Sequence, residues 1–348
     1  MKKAIGILAV LTLLLSLLTS CSSSKSVFLA NLRHFAKEPD FSAKMTFHIK
    51  ELSGKYETKH ASLLRNSEFI YDTSLNRKAN QSYNTYQWNV TKPTSHTLTF
   101  HTLQDFETGR IYFPAKDLFS NQSEYDFFFS KQLQTIADDV LPMNQALKGK
   151  YFDLYEAMQN ITGQTIDSQM VTKQAKEIAN IEDKVMFNLY NYMNKINKKR
   201  FTTDDNVLKL RLNKHDIRSL VRENAKSFYK DEDLLNLVME NEDMSKQDAK
   251  QFLEKQMAET NSKLTSFVNN HANKWNIDIA LTGDSNKKLK KMFITNDLQT
   301  ANDRLVFTTN IEFKKYKPVP SIPGRSTIIN KESLDKAISD VITSYMSR

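Results

Sequence analysis

One stretch decides the fold of this 348-residue chain: Phe41-Ser-Ala-Lys-Met-Thr-Phe-His-Ile-Lys50. Apolar residues occupy every second position from Phe41 to Ile49, and polar residues stand between them. Successive side chains of a strand point to opposite faces of a sheet, so this period of two predicts a half-buried antiparallel strand.

Similar patterns occur towards both ends of the sequence. They predict strands over 56–65, 67–72, 83–90, 98–106, 110–113, 275–281, 288–295 and 304–316. Neither end has enough strands to cover its own apolar face, and no linker separates the two sets. The economical arrangement is one antiparallel sheet built from both ends of the chain.

The middle of the chain, about residues 116–270, has a helical period. Only the strand Val207–Leu212 interrupts it, and Ser245 with Asp248 has the spacing of a capping box. A last helix over 333–345 carries an apolar stripe. We therefore expect an α+β fold: a curved antiparallel sheet, an incomplete barrel, covered by a long helical middle segment and a C-terminal helix in a single domain over 27–348.

The N-terminus has the organisation of a secretory signal. Lys2 and Lys3 precede an almost wholly apolar run over 4–18, which is shorter than a membrane-spanning helix usually is. Leu18-Thr19-Ser20-Cys21 follows, with an aliphatic residue, two small residues and the only cysteine of the chain. This pattern predicts a signal peptide over 1–20 and a short polar tether over 21–26, and one cysteine excludes an intramolecular disulfide.

The stretch ending at Cys21 resembles the lipobox of bacterial lipoproteins. In that class a diacylglycerol thioether forms on the cysteine and a dedicated peptidase cuts before it. The resemblance implies a lipidated Cys21 that holds the protein on the extracytoplasmic face of the cell membrane. The alternatives are an ordinary secretory signal and an uncleaved anchor.

The mature chain is similar to the LolA-like and LppX-like lipoprotein carriers of monoderm bacteria. The likeness rests on the order of four stretches, which are Phe41–Ile49, Gly109–Phe113, Val207–Asp216 and the strand–proline–helix unit from Arg304 onward. The resemblance implies that an apolar or lipid-like ligand binds between the sheet and the helices. The alternative is a non-enzymatic surface-interaction or accessory lipoprotein without an internal ligand.

The charge of the chain bears on its partners. The formal charge is +9, and removing Lys2 and Lys3 leaves 9 − 2 = +7. Most lysines are scattered, which favours a role in solubility, and two local clusters lie over 287–291 and 314–317. An exported protein seldom meets nucleic acid, so we expect none as a partner, whereas an anionic cell-surface polymer is a candidate.

Residue patterns of catalytic and metal sites do not occur in the sequence. There is no HExxH, CxxC, GxSxG or phosphate-binding loop, and no two of the seven histidines stand four residues apart. His48, His96 and His101 fall at strand phases where simple solvent exposure is expected. Most of the acidic groups flank helix starts, which favours capping; the groups are Asp138-Asp139, Asp204-Asp205, Asp231-Glu232-Asp233 and Glu240-Asn-Glu-Asp243. We therefore expect no enzyme, no metal site and no cofactor.

Two aromatic groups are candidates for ligand contact. Tyr83, Tyr86 and Trp88 would form a surface platform for a glycan or polymer, and Phe127-Phe128-Phe129 would line an apolar cavity. Three consecutive phenylalanines on a helix cannot all point the same way. Ordinary core packing is the alternative for both groups.

Substituting Cys21 with alanine tests the anchor. We expect Cys21→Ala to abolish metabolic labelling with a lipid and to release the protein or leave its precursor uncut, because stable anchoring needs acyl chains buried at about 0.8 kcal/mol per methylene. Fractionation and intact mass of the wild type and the variant provide the measurement. Unchanged membrane retention and mass would show that lipid on Cys21 is not the anchor.

Overall fold

The computed structural model describes residues 24–36, 38, 40–54, 61–121, 124–128, 147–162, 168–283, 288–330, 332, 336 and 339. The predicted signal peptide, Cys21 and nearly all of the predicted helix over 333–345 lie outside the described residues.

The described strands form one antiparallel sheet of eleven strands. They are β1 (Asp40–Ser53), β2 (Ser67–Asn76), β3 (Gln81–Val90), β4 (His96–Asp105), β5 (Ile111–Pro114), β6 (Tyr151–Asp153), β7 (Phe201–Asp204), β8 (Val207–Leu212), β9 (Lys274–Gly283), β10 (Leu289–Gln299) and β11 (Arg304–Lys314). Their order is β6-β5-β4-β3-β2-β1-β11-β10-β9-β8-β7, so the sheet is not closed into a barrel. The prediction that both ends of the chain contribute to one sheet is confirmed.

Helices make up most of the remaining regular structure. The α-helices are α1 (Ser24–Ala36), α2 (Ala61–Arg65), α3 (Lys116–Ser120), α4 (Tyr125–Phe128), α5 (Leu154–Thr162), α6 (Ser168–Lys195), α7 (Lys214–Phe228), α8 (Glu232–Glu242) and α9 (Lys246–Ser266). A π-helix, Phe267–His271, continues α9, and short 3₁₀ helices cover Lys198–Arg200 and Arg325–Thr327.

The chain divides into two compact units. The first unit comprises Met1–Glu38, Phe47–Arg65 and Gln174–Lys314, and the second comprises Pro39–Thr46, Asn66–Lys173 and Lys315–Arg348. β1 passes from the second unit into the first after Thr46.

The first unit has a conventional sheet-on-helix core. In β9, Trp275, Ile277, Ile279 and Leu281 are all buried, and the residues between them are more exposed. Helix α7 packs on β8 and β9, and α1 packs on β7 and β8. The alternation predicted for this strand is therefore confirmed, and the apolar side faces a core, as is usual for an antiparallel strand with one covered face.

Side-chain N-caps stabilise the first turns of three helices in the first unit. Asn213 forms a capping box with Asp216 at α7, Asp231 accepts from the backbone of Asp233 and Leu234 at α8, and Ser245 accepts from the backbone of Asp248 at α9. Each cap satisfies N–H groups that have no partner within the helix. The capping interpretation is confirmed at Asp231, and the predicted role of Ser245 is confirmed as well.

The capping interpretation is wrong for Asp204 and Asp205. Asp205 and Asn206 have φ of 44° and 66° and connect β7 to β8, where a two-residue loop joins antiparallel strands. Positive φ at both positions matches the twist of a hairpin, and Asp and Asn tolerate it better than most residues do. Asp204 forms an ion pair with Lys209 across the same hairpin.

Several short elements differ from the sequence-based expectation. Residues 61–65, predicted as part of a strand, form α2, while 55–60 lie outside the described part of the chain. The expected helical segment over 116–270 also contains β6 and β7, which were not predicted. Strands of three and four residues show too little alternation to be separated from a helix by periodicity.

Two glycines with positive φ test the close approach at the end of β1: Gly54 lies there, and Gly149 lies elsewhere and serves as the control. Gly54 has φ of 70°, and a Cβ there would lie 2.2 Å from the carbonyl oxygen of Asn302; Gly149 has φ of 72° with nothing within 4 Å. We expect Gly149→Ala to lower the free energy of unfolding by about 1–2 kcal/mol, the strain of a left-handed residue, and Gly54→Ala to lower it clearly more. Equal losses in urea denaturation would contradict the close approach at Asn302.

Candidate functional site

The register of three strands assigns side chains of the second unit to two faces. Phe69 pairs with Trp88, and Tyr71 pairs with Tyr86, which in turn pairs with Phe100. Directly paired residues project to the same side of a sheet, so these side chains share one face. Phe113 of β5 joins them through its contact with Phe100. We call this set the aromatic face: Phe69, Tyr71, Tyr86, Trp88, Phe100 and Phe113.

The rings of the aromatic face hold one another in fixed pairs. Ring centroids lie 5.2 Å apart for Phe69 and Trp88 and for Tyr71 and Tyr86, and 5.7 Å apart for Phe100 and Phe113. These separations fall in the range of about 4.5–7 Å that favours aromatic pairs. Cross-strand pairing therefore orients the rings before any ligand arrives.

The aromatic face is only partly covered. None of its six members is buried, and the side chain of Tyr86 is 43% exposed. In the first unit, by contrast, Trp275 and its apolar neighbours on β9 are all buried. A row of partly accessible rings on one face is a candidate surface for contact with a ligand or a partner.

A buried amide fixes the centre of this face. The side chain of Asn84 is 2% exposed, and its Oδ1 accepts from the hydroxyls of Tyr71 at 2.9 Å and Thr73 at 2.7 Å. Its Nδ2 donates to Ser82 at 3.1 Å and Thr102 at 3.3 Å. All hydrogen-bonding positions of the amide are used. Burial raises the pKa of Tyr71 to about 12, so its hydroxyl remains a donor at neutral pH.

The edge of β4 is completed by a helix. β5 pairs with β4 only at Leu103 and Gln104, and partners further along β4 come from α3 and from Asn121, the residue that follows it. Asn121 accepts from the backbone N–H of Thr99 at 2.9 Å and donates to its carbonyl at 2.5 Å. Asp117 accepts from the backbone N–H of His101 at 2.6 Å. Two side chains thus take the place of a neighbouring strand, which satisfies backbone groups at the edge.

Helix α4 packs two phenylalanines against the end of the aromatic face. The ring of Phe128 lies 4.7 Å from Trp88, and the ring of Phe127 stacks on His96 at 3.8 Å. These two of the three predicted phenylalanines therefore contact the same side of the sheet, and Phe129 lies outside the described residues.

The predicted platform of Tyr83, Tyr86 and Trp88 is wrong in one member. Tyr83 pairs with Ser74 and projects from the opposite side of β3, where its ring stacks on His101 at 5.7 Å. An odd sequence separation between Tyr83 and the other two places them on different faces. The same parity applied to neighbouring strands would have identified Phe69, Tyr71 and Phe100, which were not predicted.

The expected solvent exposure of His96 and His101 is also wrong. Nδ1 of His96 lies 2.9 Å from Glu124, and Nδ1 of His101 lies 3.0 Å from Asp117. Both imidazoles are mostly covered, and their carboxylate partners are Asp117 of α3 and Glu124, which directly precedes α4. These pairs fasten the helices to the strand. Among the residues that the structure describes, no group of three or more His, Cys, Asp or Glu side chains could hold a metal ion.

Lysines of the first predicted basic cluster have acidic neighbours. Lys291 lies 2.9 Å from Glu312, and Lys288 lies 2.9 Å from Glu38. Exposed pairs of this kind contribute little to stability, but they reduce the local positive charge. An anionic polymer as a partner stays a prediction.

Comparisons with protein-family models, with curated proteins and with solved structures return no match to this chain. Over the described ranges, no helix is both long enough and apolar enough to span a membrane.

Asn121 provides a test of the helix at the edge of β4. We expect Asn121→Ala to lower the free energy of unfolding by about 2–3 kcal/mol, because two backbone groups of Thr99 lose their partner in a covered environment. Ser120→Ala, at an exposed neighbouring position of α3, is the matched control and should change stability by about 0.5 kcal/mol or less. Similar small effects of both substitutions in urea denaturation would show that water serves this edge equally well.

Proposed function

We propose that this chain is an extracytoplasmic lipoprotein, anchored through lipid on Cys21, that binds a lipid-like ligand on the aromatic face of its second unit. The observation that carries the proposal is the row of six half-covered, mutually paired rings on one side of β2 to β5. Covering such a surface with an apolar chain gains about 25 cal/mol for each Å² removed from water.

The polar groups of this face favour an apolar ligand. Asn84, Tyr71 and Thr73 satisfy one another, and the indole N–H of Trp88 donates to Ser67 at 2.9 Å. Their hydrogen bonds are already made, so a ligand gains mainly from contact with the rings. Ligand sites of apolar molecules typically combine an apolar lining with a few polar groups.

The proposal includes a non-enzymatic role. His96 and His101 form pairs with Glu124 and Asp117, and these pairs hold α3 and α4 against β4. Attachment of the two helices explains why both histidine–carboxylate pairs are present, so neither pair requires a catalytic role.

The proposal also retains the arrangement implied by the LolA-like resemblance. There, helices cover the concave side of a curved sheet and leave an apolar space for the ligand. Of that arrangement, the first unit has the covering helix, since α7 packs on β8 and β9. The alternative, an accessory lipoprotein that contacts another protein, would use the same aromatic face.

Tryptophan fluorescence distinguishes the two functions, because the chain has only Trp88 and Trp275. In Trp275→Phe, the sole reporter is Trp88 on the aromatic face. We expect a spin-labelled fatty acid to quench it saturably in the full chain, held in a bile-salt detergent that has no acyl chain. Unlabelled fatty acids should compete roughly fourfold better for each added methylene, which corresponds to about 0.8 kcal/mol.

Trp88→Phe is the matched control, because it leaves Trp275, which is buried in the first unit and donates to Asn296 at 3.0 Å. Its fluorescence should not respond to the labelled fatty acid. Equal quenching of both variants would indicate nonspecific partition, and absence of quenching at Trp88 would favour the accessory role.

A further inference from the structure

A groove lies on the side of β2 and β3 opposite to the aromatic face. Its floor consists of side chains from the two strands, and one wall is the extended segment that follows β11. The lining residues are Asp72, Ser74, Tyr83, Thr85, Gln87, Lys317, Pro318 and Pro320. The cavity volume is about 280 Å³. This is close to the lower end of the range of about 300–1,000 Å³ for small-molecule sites, so it suits a ligand of one or two rings.

The wall of the groove is anchored at both ends. The backbone N–H of Lys317 donates to Ser42 Oγ at 2.9 Å, and Ser42 Oγ lies 2.7 Å from Ser74 Oγ within the floor. Further along, the backbone N–H of Ile329 donates to Tyr151 at 2.8 Å. Pro318 and Pro320 fix their own φ angles between these anchors. The groove is therefore formed before a ligand binds.

The floor presents a dense set of donors and acceptors. Asp72 pairs with Thr85, and Ser74 pairs with Tyr83, so their side chains lie side by side on one face. The ring of Tyr83 is held by stacking on His101, and burial raises the pKa of the Tyr83 hydroxyl, which stays protonated at neutral pH. A carboxylate accepts only, whereas hydroxyl groups and the amide of Gln87 both donate and accept.

We infer that this groove binds a saccharide. Sugar hydroxyls donate and accept at once, which matches a floor of Asp72, Thr85 and Gln87, and the rings of Tyr83 and Pro320 offer apolar surface to the C–H face of a sugar. An anion is disfavoured because the acidic residue Asp72 lines the same groove as the basic residue Lys317. The inference is independent of the proposed lipid-like ligand, since the two sites are on opposite faces of β2 and β3.

Titration calorimetry with the full chain in detergent tests this inference, with maltose, cellobiose and chitobiose as probes. We expect at least one disaccharide to bind at millimolar concentration. Thr85→Val and Gln87→Leu should each weaken that binding roughly tenfold, because each removes hydrogen bonds to the ligand. Thr97→Val, on the same face of β4 but outside the groove lining, is the matched control and should leave binding unchanged.

A variant in the exposed wall keeps the inference testable even if Thr85→Val or Gln87→Leu fails to fold. Pro320→Ala removes a ring from the groove at an exposed position and should weaken binding several-fold while the melting temperature stays unchanged. The inference is overturned if the wild type binds none of the three probes. It is equally overturned if Thr97→Val weakens binding as much as Thr85→Val, or if glycerol phosphate binds in place of the sugars and loses affinity in Lys317→Met.

Discussion

The register of β2, β3 and β4 is the constraint on which both faces of the second unit depend. A slip of one residue would move every side chain of a strand to the other side of the sheet. Asn84 opposes such a slip, because its amide joins Thr73 and Tyr71 on β2 to Thr102 on β4. Hydrogen bonds of one buried residue thus keep the rings on one face and the groove on the other. A buried amide that uses all its hydrogen bonds specifies an arrangement more than it adds stability.

The side chains that bond to the edge of β4 belong to the same stretch of chain that covers one end of the aromatic face. Because β5 is only four residues long, backbone groups of Thr99 and His101 need other partners, and Asn121 and Asp117 provide them. A few residues further along the chain, Phe128 of α4 contacts Trp88. The helices that satisfy the backbone at the edge of β4 therefore also cover one end of the aromatic face.

Long elements could be predicted from the sequence because their periodicity is local. The strand over Phe41–Ile49 and the capping residues of α8 and α9 are examples that the structure confirms. The expected alternation of burial along that strand is wrong, since the polar Ser42 is buried whereas Phe41 and Phe47 are only partly covered. Asp117 could not be recognised, because its partner His101 is 16 residues away and nothing local marks the pair. Tyr83 could have been placed correctly, since parity alone separates it from Trp88. The predicted lipid on Cys21 involves a residue outside the described structure.

The two units differ in how they use their apolar residues. The first unit buries Ile277 and Ile279 of β9, which gives each side chain about 1.5–3 kcal/mol relative to exposure. The second unit leaves Trp88 and Tyr86 half-covered, so much of that gain is not realised in the free protein. Its strands are held by buried residues such as Val90 and Leu103, and in addition by ring pairs and by the Asn84 network. A ligand that covers the rings would supply the missing burial, and its binding would therefore be coupled to the stability of β2 to β4.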